Sequence, residues 1–233
     1  MSVRQRIFAD RHDAGRQLAA ALRTHADQYP VVLALPRGGV PVAYEVAMEL
    51  LAPLDLLFVR KIGAPGHPEL GIGAVVDGAS PQVVMNPEVA FLEPSAAYIA
   101  EQVRQELLEI ERRRAAYLHG RQPIDVHDRT VIAVDDGVAT GGTLRAALQG
   151  LQKAEVGRLI VGLPVGPPDV VISLAEQADE MVCLYTPEPF HAVGLWYRDF
   201  RQTTDEEVVE LLERADRRRE SPAIRRPSAN LPP

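Results

Sequence analysis

Residues 131–148, VIAVDDGVATGGTLRAAL, decide how this chain is read. Four apolar residues, Val131 to Val134, run into two adjacent carboxylates, Asp135 and Asp136. A Thr140-Gly141-Gly142-Thr143 turn follows and opens a stretch with helical apolar spacing. Such a turn suits an anion, because unpaired backbone N–H groups and the positive end of the helix dipole point at it. Two acids beside an anion cradle must therefore serve something else. Either they hold a metal ion, or one ligand carries both a phosphate and groups that carboxylates bind.

Outward from that stretch the same grammar appears twice. Upstream, VVLAL (Val31–Leu35) leads through LPRGGV into PVAYEVAMELLA (Pro41–Ala52), a helical pattern with proline in its first turn, and then into LDLLFV (Leu54–Val59). Downstream, TLRAALQGLQKA leads to RLIVGLPV (Arg158–Val165), and a helix over Asp169–Gln177 leads to EMVCLY (Glu180–Tyr185). Apolar strands alternating with helices predict an α/β fold, a parallel twisted sheet with flanking helices. A helix capped by Asp13 is expected near the start, and a long polar helix over Ser95–Leu118. Residues Gly63–Pro81, rich in glycine and proline, read as a loop. The arginine-rich end, residues 216–233, reads as a disordered tail.

Composition narrows the function. The 233 residues are 46% apolar and 24% charged, ordinary for one globular domain with room for a small subdomain. A net charge of −7 argues against nucleic-acid and anionic-membrane partners. No apolar run approaches the ~18–20 residues that span a bilayer. The single cysteine, Cys183, forms no internal disulfide, which fits a reducing compartment, so a cytoplasmic location is expected. The six histidines show no zinc-ligand spacing.

Several chemistries compete for the acidic turn. A P-loop NTPase needs G-x-x-x-x-G-K-[ST], and no Gly-Lys pair occurs in the chain. A dinucleotide fold wants G-x-G-x-x-G after its first strand, which LPRGGV does not supply. A phosphorylated receiver domain places its paired acids after the first strand, far from residue 135. A plain polar turn remains open, as a coincidence of acids and glycines. A ribose 5-phosphate satisfies every part: carboxylates accept from the sugar diol, directly or through Mg²⁺ and water, while the turn holds the phosphate.

The thirteen residues VIAVDDGVATGGT resemble the signature of the type I phosphoribosyltransferases, which bind 5-phosphoribosyl 1-diphosphate (PRPP). The resemblance covers most of residues 10–215 and includes LPRGGVPVA, VRKIG and FHAVGLWYRDF (Phe190–Phe200), shared with a bacterial branch of that family. It implies a phosphoribosyltransferase that uses PRPP and Mg²⁺, releases diphosphate and moves ribose 5-phosphate to a nitrogenous base in nucleotide salvage. The implied domain is 1–215, with a small hood subdomain built from parts of the N-terminal region and residues 164–205. Arg37, Gly38 and Gly39 are implied to hold the diphosphate, with Arg60 and Lys61 nearby. Ala139, Thr140, Gly141, Gly142 and Thr143 are implied to cradle the 5-phosphate. Asp135 and Asp136 are implied to hold the ribose diol and Mg²⁺, directly or through water, and to act with Lys61 in catalysis.

The resemblance also implies that Gly63–Pro81 is a mobile loop over the site, and that the chain pairs as a homodimer. Ala139 stands where the 6-oxopurine enzymes carry an aspartate, so it assigns no general base. The aromatics Phe190, Trp196, Tyr197 and Phe200 suit either core packing or stacking on a base. The alternative function is a non-catalytic sensor of PRPP or nucleotides with the same fold.

Overall fold

The computed structural model describes residues 8–86, 89, 92 and 94–220. In chain order the elements are α1 (Arg11–Leu22), β1 (Val31–Ala34), α2 (Gly39–Leu50), β2 (Leu54–Leu56), β3 (Val59–Ala64), β4 (His67–Val76) and β5 (Gln82–Met85). There follow α3 (Ala96–Leu118), β6 (Thr130–Val134), α4 (Gly142–Lys153), β7 (Arg158–Val165), α5 (Pro168–Ala175), β8 (Glu180–Tyr185) and α6 (Asp205–Glu220). Five strands form a parallel sheet in the order β2-β1-β6-β7-β8. The α/β expectation therefore holds, although the run Leu54–Val59 is divided: only Leu54–Leu56 joins this sheet, and Val59 opens β3 of a second one.

Alternation along the strands explains why the sheet is apolar on both faces. Val32, Ala34, Ile132, Val134 and Ile160 face one way and pack with residues of α1, α2 and α6. Val31, Leu33, Val131, Ala133 and Val161 face the other way and pack with α4 and α5. Burying a Leu, Ile or Val fully is worth ~1.5–3 kcal/mol, so these two layers supply most of the drive to fold.

Three expectations need correction. The segment Gly63–Pro81 is largely β-structure rather than loop: β3, β4 and β5 form a three-stranded antiparallel sheet. Ile62, Ile72, Ala74, Val75 and Val76 are buried there. The glycines misled the reading, because glycine in a strand also marks a close approach of neighbouring backbone. A Cβ on Gly73 would lie 2.5 Å from the carbonyl oxygen of Val84. The cap of α1 is Asp10, whose side chain accepts from Asp13 N–H at 2.7 Å, while Asp13 accepts from Ala9 N–H at 2.9 Å. Lastly, α6 runs to Glu220, so the first residues assigned to the tail are helical; residues 221–233 lie outside the described residues.

A buried ionic network fastens the small sheet to the large one. Arg114 of α3 donates to Asp77, at the end of β4, at 2.6 Å and to both oxygens of Asp55 of β2 at 3.2 and 3.3 Å. Asp55 also accepts from the N–H groups of Leu56 and Ile124. Burial pushes the Asp77 carboxyl above its ordinary range, and Arg114 opposes that shift. Removing one partner of a buried pair leaves an uncompensated charge, at a cost of about 3–5 kcal/mol. Arg114→Ala is thus expected to lose about that much stability at pH 7 by denaturant titration. The deficit should shrink toward pH 5, as the stranded Asp77 takes up a proton and its buried charge disappears. A pH-independent deficit would show that Arg114 contributes packing alone.

Candidate functional site

The order of the sheet fixes where a ligand can sit. From β1 the chain crosses to β2 on one side; from β6 it crosses to β7 on the other. Between β1 and β6 lies the switch point, where the loops after the two strands diverge and leave a crevice at their carboxyl ends. LPRGG and DDGVATGGT are those two loops.

They are in direct contact. Leu35 N–H donates to Val134 C=O at 2.9 Å, while Gly39 N–H folds its own loop by donating to Leu35 C=O at 3.0 Å. A Cβ on Gly38 would lie 2.2 Å from Asp136 Oδ2, and one on Gly39 would lie 2.8 Å from Val134 C=O and 3.0 Å from Asp135 Cα. The two glycines are required by the acids: any side chain there would displace the carboxylate or the β6 backbone.

The acidic pair is half-buried and tightly held. Asp136 N–H donates to Asp135 Oδ1 at 2.8 Å. Asp136 Oδ2 accepts from Arg11 Nε at 2.7 Å, and the Asp136 carbonyl accepts from the Tyr197 hydroxyl. Burial, reinforced by the charge of Asp136, raises the Asp135 carboxyl well above its ordinary range. Burial also raises Asp136, against the pull of Arg11. Burial raises the Tyr197 phenol as well, so it stays a hydrogen-bond donor.

Anion-binding capacity lies on either side of the acids. Helices α1 and α3 carry side-chain caps, from Asp10 and Ser95, whereas α2 and α4 begin at Gly38 and Gly141 with none. The first N–H groups of α4, at Gly142 and Thr143, are open to a ligand. Those of α2, at Gly39 and Val40, already donate to the Leu35 and Arg37 carbonyls, and Pro41 has none, so α2 offers its positive end and the loop before it. Gly141 has φ +77°, the left-handed region that favours glycine, and Thr140, the residue before it, is exposed at the turn. A cleft of about 700 Å³ adjoins this turn, lined by Thr140, Gly142 and Thr143 together with Lys61 of β3 and Arg145 of α4. Arg145 donates to Ser173 Oγ at 3.1 Å. A cation so near a helix N-terminus opposes the dipole, and an anion bound there would relieve the conflict.

The remaining candidates are placed as follows. Arg60 and Lys61 are neighbours on β3 and so face opposite ways. Lys61 lines the cleft, while Arg60 Nε donates to Glu106 Oε2 of α3 at 2.6 Å. Arg37 sits in the glycine loop, but its side chain donates to Asp205 Oδ1 of α6 at 3.1 Å, an oxygen that also accepts from the Tyr117 hydroxyl at 2.6 Å. Trp196 and Tyr197 are buried with Phe8, and Phe190 and Phe200 pack against them, so the aromatic cluster is core. Burial pushes the Cys183 thiol up to about 11, which removes it as a thiolate nucleophile at neutral pH.

Four residues at the site escaped the sequence reading: Arg11, Tyr197 in its bonding role, Asp205 and Arg145. Arg11 reaches Asp136 across 125 positions, and nothing local in ADRHDAG signals it. Arg145 alone had a cue, an arginine two residues past the Thr-Gly-Gly-Thr turn.

Comparison with known proteins shows what the chain is similar to. The family model described as the phosphoribosyl transferase domain matches residues 6–169. Two Mycobacterium tuberculosis proteins, from strains CDC 1551 / Oshkosh and ATCC 25618 / H37Rv, both named "Putative phosphoribosyl transferase", are 46% identical over 215 residues, 91% of this chain. That alignment covers 48% of each relative, so the chain spans about half the length of the curated relatives it matches. The crystal structure of TT1426 from Thermus thermophilus is 40% identical and superposes with a TM-score of 0.77 over 88% of this chain and 97% of that one.

The contact between loop and acid generates a test. Gly38→Ala should push Asp136 from its place, lower stability by about 1–3 kcal/mol in thermal unfolding, and disturb the crevice. A variant as stable as the parent would show that the loop and the acid are less closely packed than 2.2 Å implies.

Proposed function

Because the chain belongs to the phosphoribosyl transferase domain family, we propose that it transfers the 5-phosphoribosyl group of PRPP to a nitrogenous base, with Mg²⁺ and with release of diphosphate. The observation that carries this reading is the crevice itself. Two acids lie between two uncapped helix N-termini, the arrangement a ribose with a phosphate at one end and a diphosphate at the other requires.

In this reading Thr140, Gly141, Gly142 and Thr143, with the first N–H groups of α4, hold the 5-phosphate, and Lys61 and Arg145 face it from the cleft. The glycine loop of Arg37, Gly38 and Gly39, at the positive end of α2, receives the diphosphate. The Gly39 and Val40 N–H groups already donate to the Leu35 and Arg37 carbonyls, so the donors the loop offers are the N–H groups of Arg37 and Gly38. The Arg37 side chain joins them once its contact with Asp205 is exchanged for the ligand. Asp135 and Asp136 accept from the ribose hydroxyls. The C1–oxygen bond to diphosphate breaks as the acceptor nitrogen bonds to C1, and positive charge gathers on the ribosyl ring. The two carboxylates lie beside that charge, so catalysis is positioning and electrostatics.

The donor set suits Mg²⁺. Among the described residues no group of three or more His, Cys, Asp or Glu gathers to form a closed cage. Two carboxylates alone match an ion that keeps waters and takes phosphate oxygens from its substrate. Asp135 and Asp136 would hold it, directly or through water; when bound it neutralises charge on the leaving diphosphate.

Ala139 gives the turn no carboxylate for deprotonating the acceptor, so a base that needs little help is favoured. Residues 8–11 with 190–201, joined by backbone bonds from Phe8 to Trp196 and from Arg198 to Phe8, form the hood in this reading. A cytoplasmic role in nucleotide salvage and a homodimeric state complete it.

Diphosphate release from PRPP and Mg²⁺, screened against adenine, hypoxanthine, guanine, xanthine, uracil, orotate and a no-base control, tests the proposal. Release with one base is expected, falling ~10²–10³-fold in the Asp135→Asn, Asp136→Asn double variant. PRPP binding with no release from any base points instead to a sensor or to an acceptor outside the screen.

A further inference from the structure

Asp136 is held from three sides, and Arg11 holds its carboxylate. Arg11 Nε donates to Asp136 Oδ2 at 2.7 Å, with the arginine side chain 11% exposed and the aspartate 14%. The same guanidinium lies 3.8 Å from the centroid of the Phe200 ring, and its Nη1 donates to the Arg201 carbonyl at 2.7 Å. On another side of Oδ2 lies Gly38, close enough that a Cβ there would come to 2.2 Å. That oxygen is enclosed between Arg11 and the glycine loop.

The second tie to Asp136 comes from the same aromatic segment. Tyr197 packs on Phe200 with centroids 5.0 Å apart and donates its hydroxyl to the Asp136 carbonyl. Arg11, Phe200, Tyr197 and Asp136 therefore form a closed ring of contacts, from the start of α1 through the aromatic segment to the end of β6. A planar fork suits all three Arg11 contacts at once, since its face lies on the ring while its edge donates on two sides; an ammonium, a compact point charge, has no such plane.

We propose that Arg11 is a positioning residue that divides the work of the acidic pair. It takes Asp136 Oδ2 out of the ligand's reach and fixes the orientation of that carboxylate. Asp135 Oδ2 and Asp136 Oδ1 are left as the oxygens that meet the ribose. It also couples the acids to the Phe190–Arg201 segment, so that a change in either is felt at the other. The inference rests on the PRPP reading of the site.

The test compares the parent with Arg11→Gln, Arg11→Lys, Asp136→Asn and the Arg11→Gln, Asp136→Asn double variant. Each is titrated calorimetrically with PRPP and Mg²⁺, and each is melted without ligand. Arg11→Gln is expected to weaken PRPP binding at least tenfold, and Arg11→Lys to recover part of the loss. The double variant should bind no more weakly than Asp136→Asn alone, because Arg11 acts through Asp136. A purely structural arginine would lower the melting midpoint while the folded variant bound PRPP as the parent does, and that result overturns the inference. Losses that add in the double variant overturn it too. A parent that binds no PRPP overturns the reading of the site, and this inference with it.

Discussion

The close approach of the Gly38–Gly39 backbone to the Asp135–Asp136 carboxylates is the constraint on which the site depends. It exists because β1 and β6 are neighbours whose connections leave in opposite directions. Two loops are thereby forced into one crevice, and only residues without side chains let one lie on the other. The acids are buried enough to lose much of their hydration, which raises their affinity for protons, for cations and for hydroxyl donors alike. Arg11 and the Asp136 N–H return part of that lost solvation.

Around this point the fold separates its tasks. The central strands are apolar on both faces and carry the stability, while the candidate site lies in loops at their carboxyl ends. The small antiparallel sheet supplies Lys61 and one wall of the cleft beside α4. Its attachment through Arg114 to Asp55 and Asp77 holds that wall to the main sheet. The N-terminal residues and the aromatic segment close the other side through Phe8, Trp196 and Tyr197. The family to which the chain belongs is consistent with this division, and the match to TT1426 extends over nearly all of that protein.

Much of this was legible in the sequence because the signals are local. Apolar runs of four to eight residues separated by helical spacing name the parallel sheet, and the acid pair four residues before Thr-Gly-Gly-Thr names the crevice. What was hidden depends on contacts distant in sequence. The bond from Arg11 to Asp136 spans 125 residues, and that from Arg37 to Asp205 spans 168; neither leaves a periodic trace. The β3–β5 sheet was misread for a different reason: glycines that permit close strand packing look, in one dimension, like glycines that loosen a loop. Arg60 and Lys61 read as one basic pair, although alternation along a strand already sets adjacent side chains on opposite faces.

Hydrogen–deuterium exchange with and without PRPP and Mg²⁺ tests the central claim most directly. The account predicts slowed exchange in residues 36–42 and 135–145 together, where the two uncapped helix starts and the acids share one ligand. Protection in neither segment, or protection confined to surfaces away from the β1–β6 switch point, would contradict it.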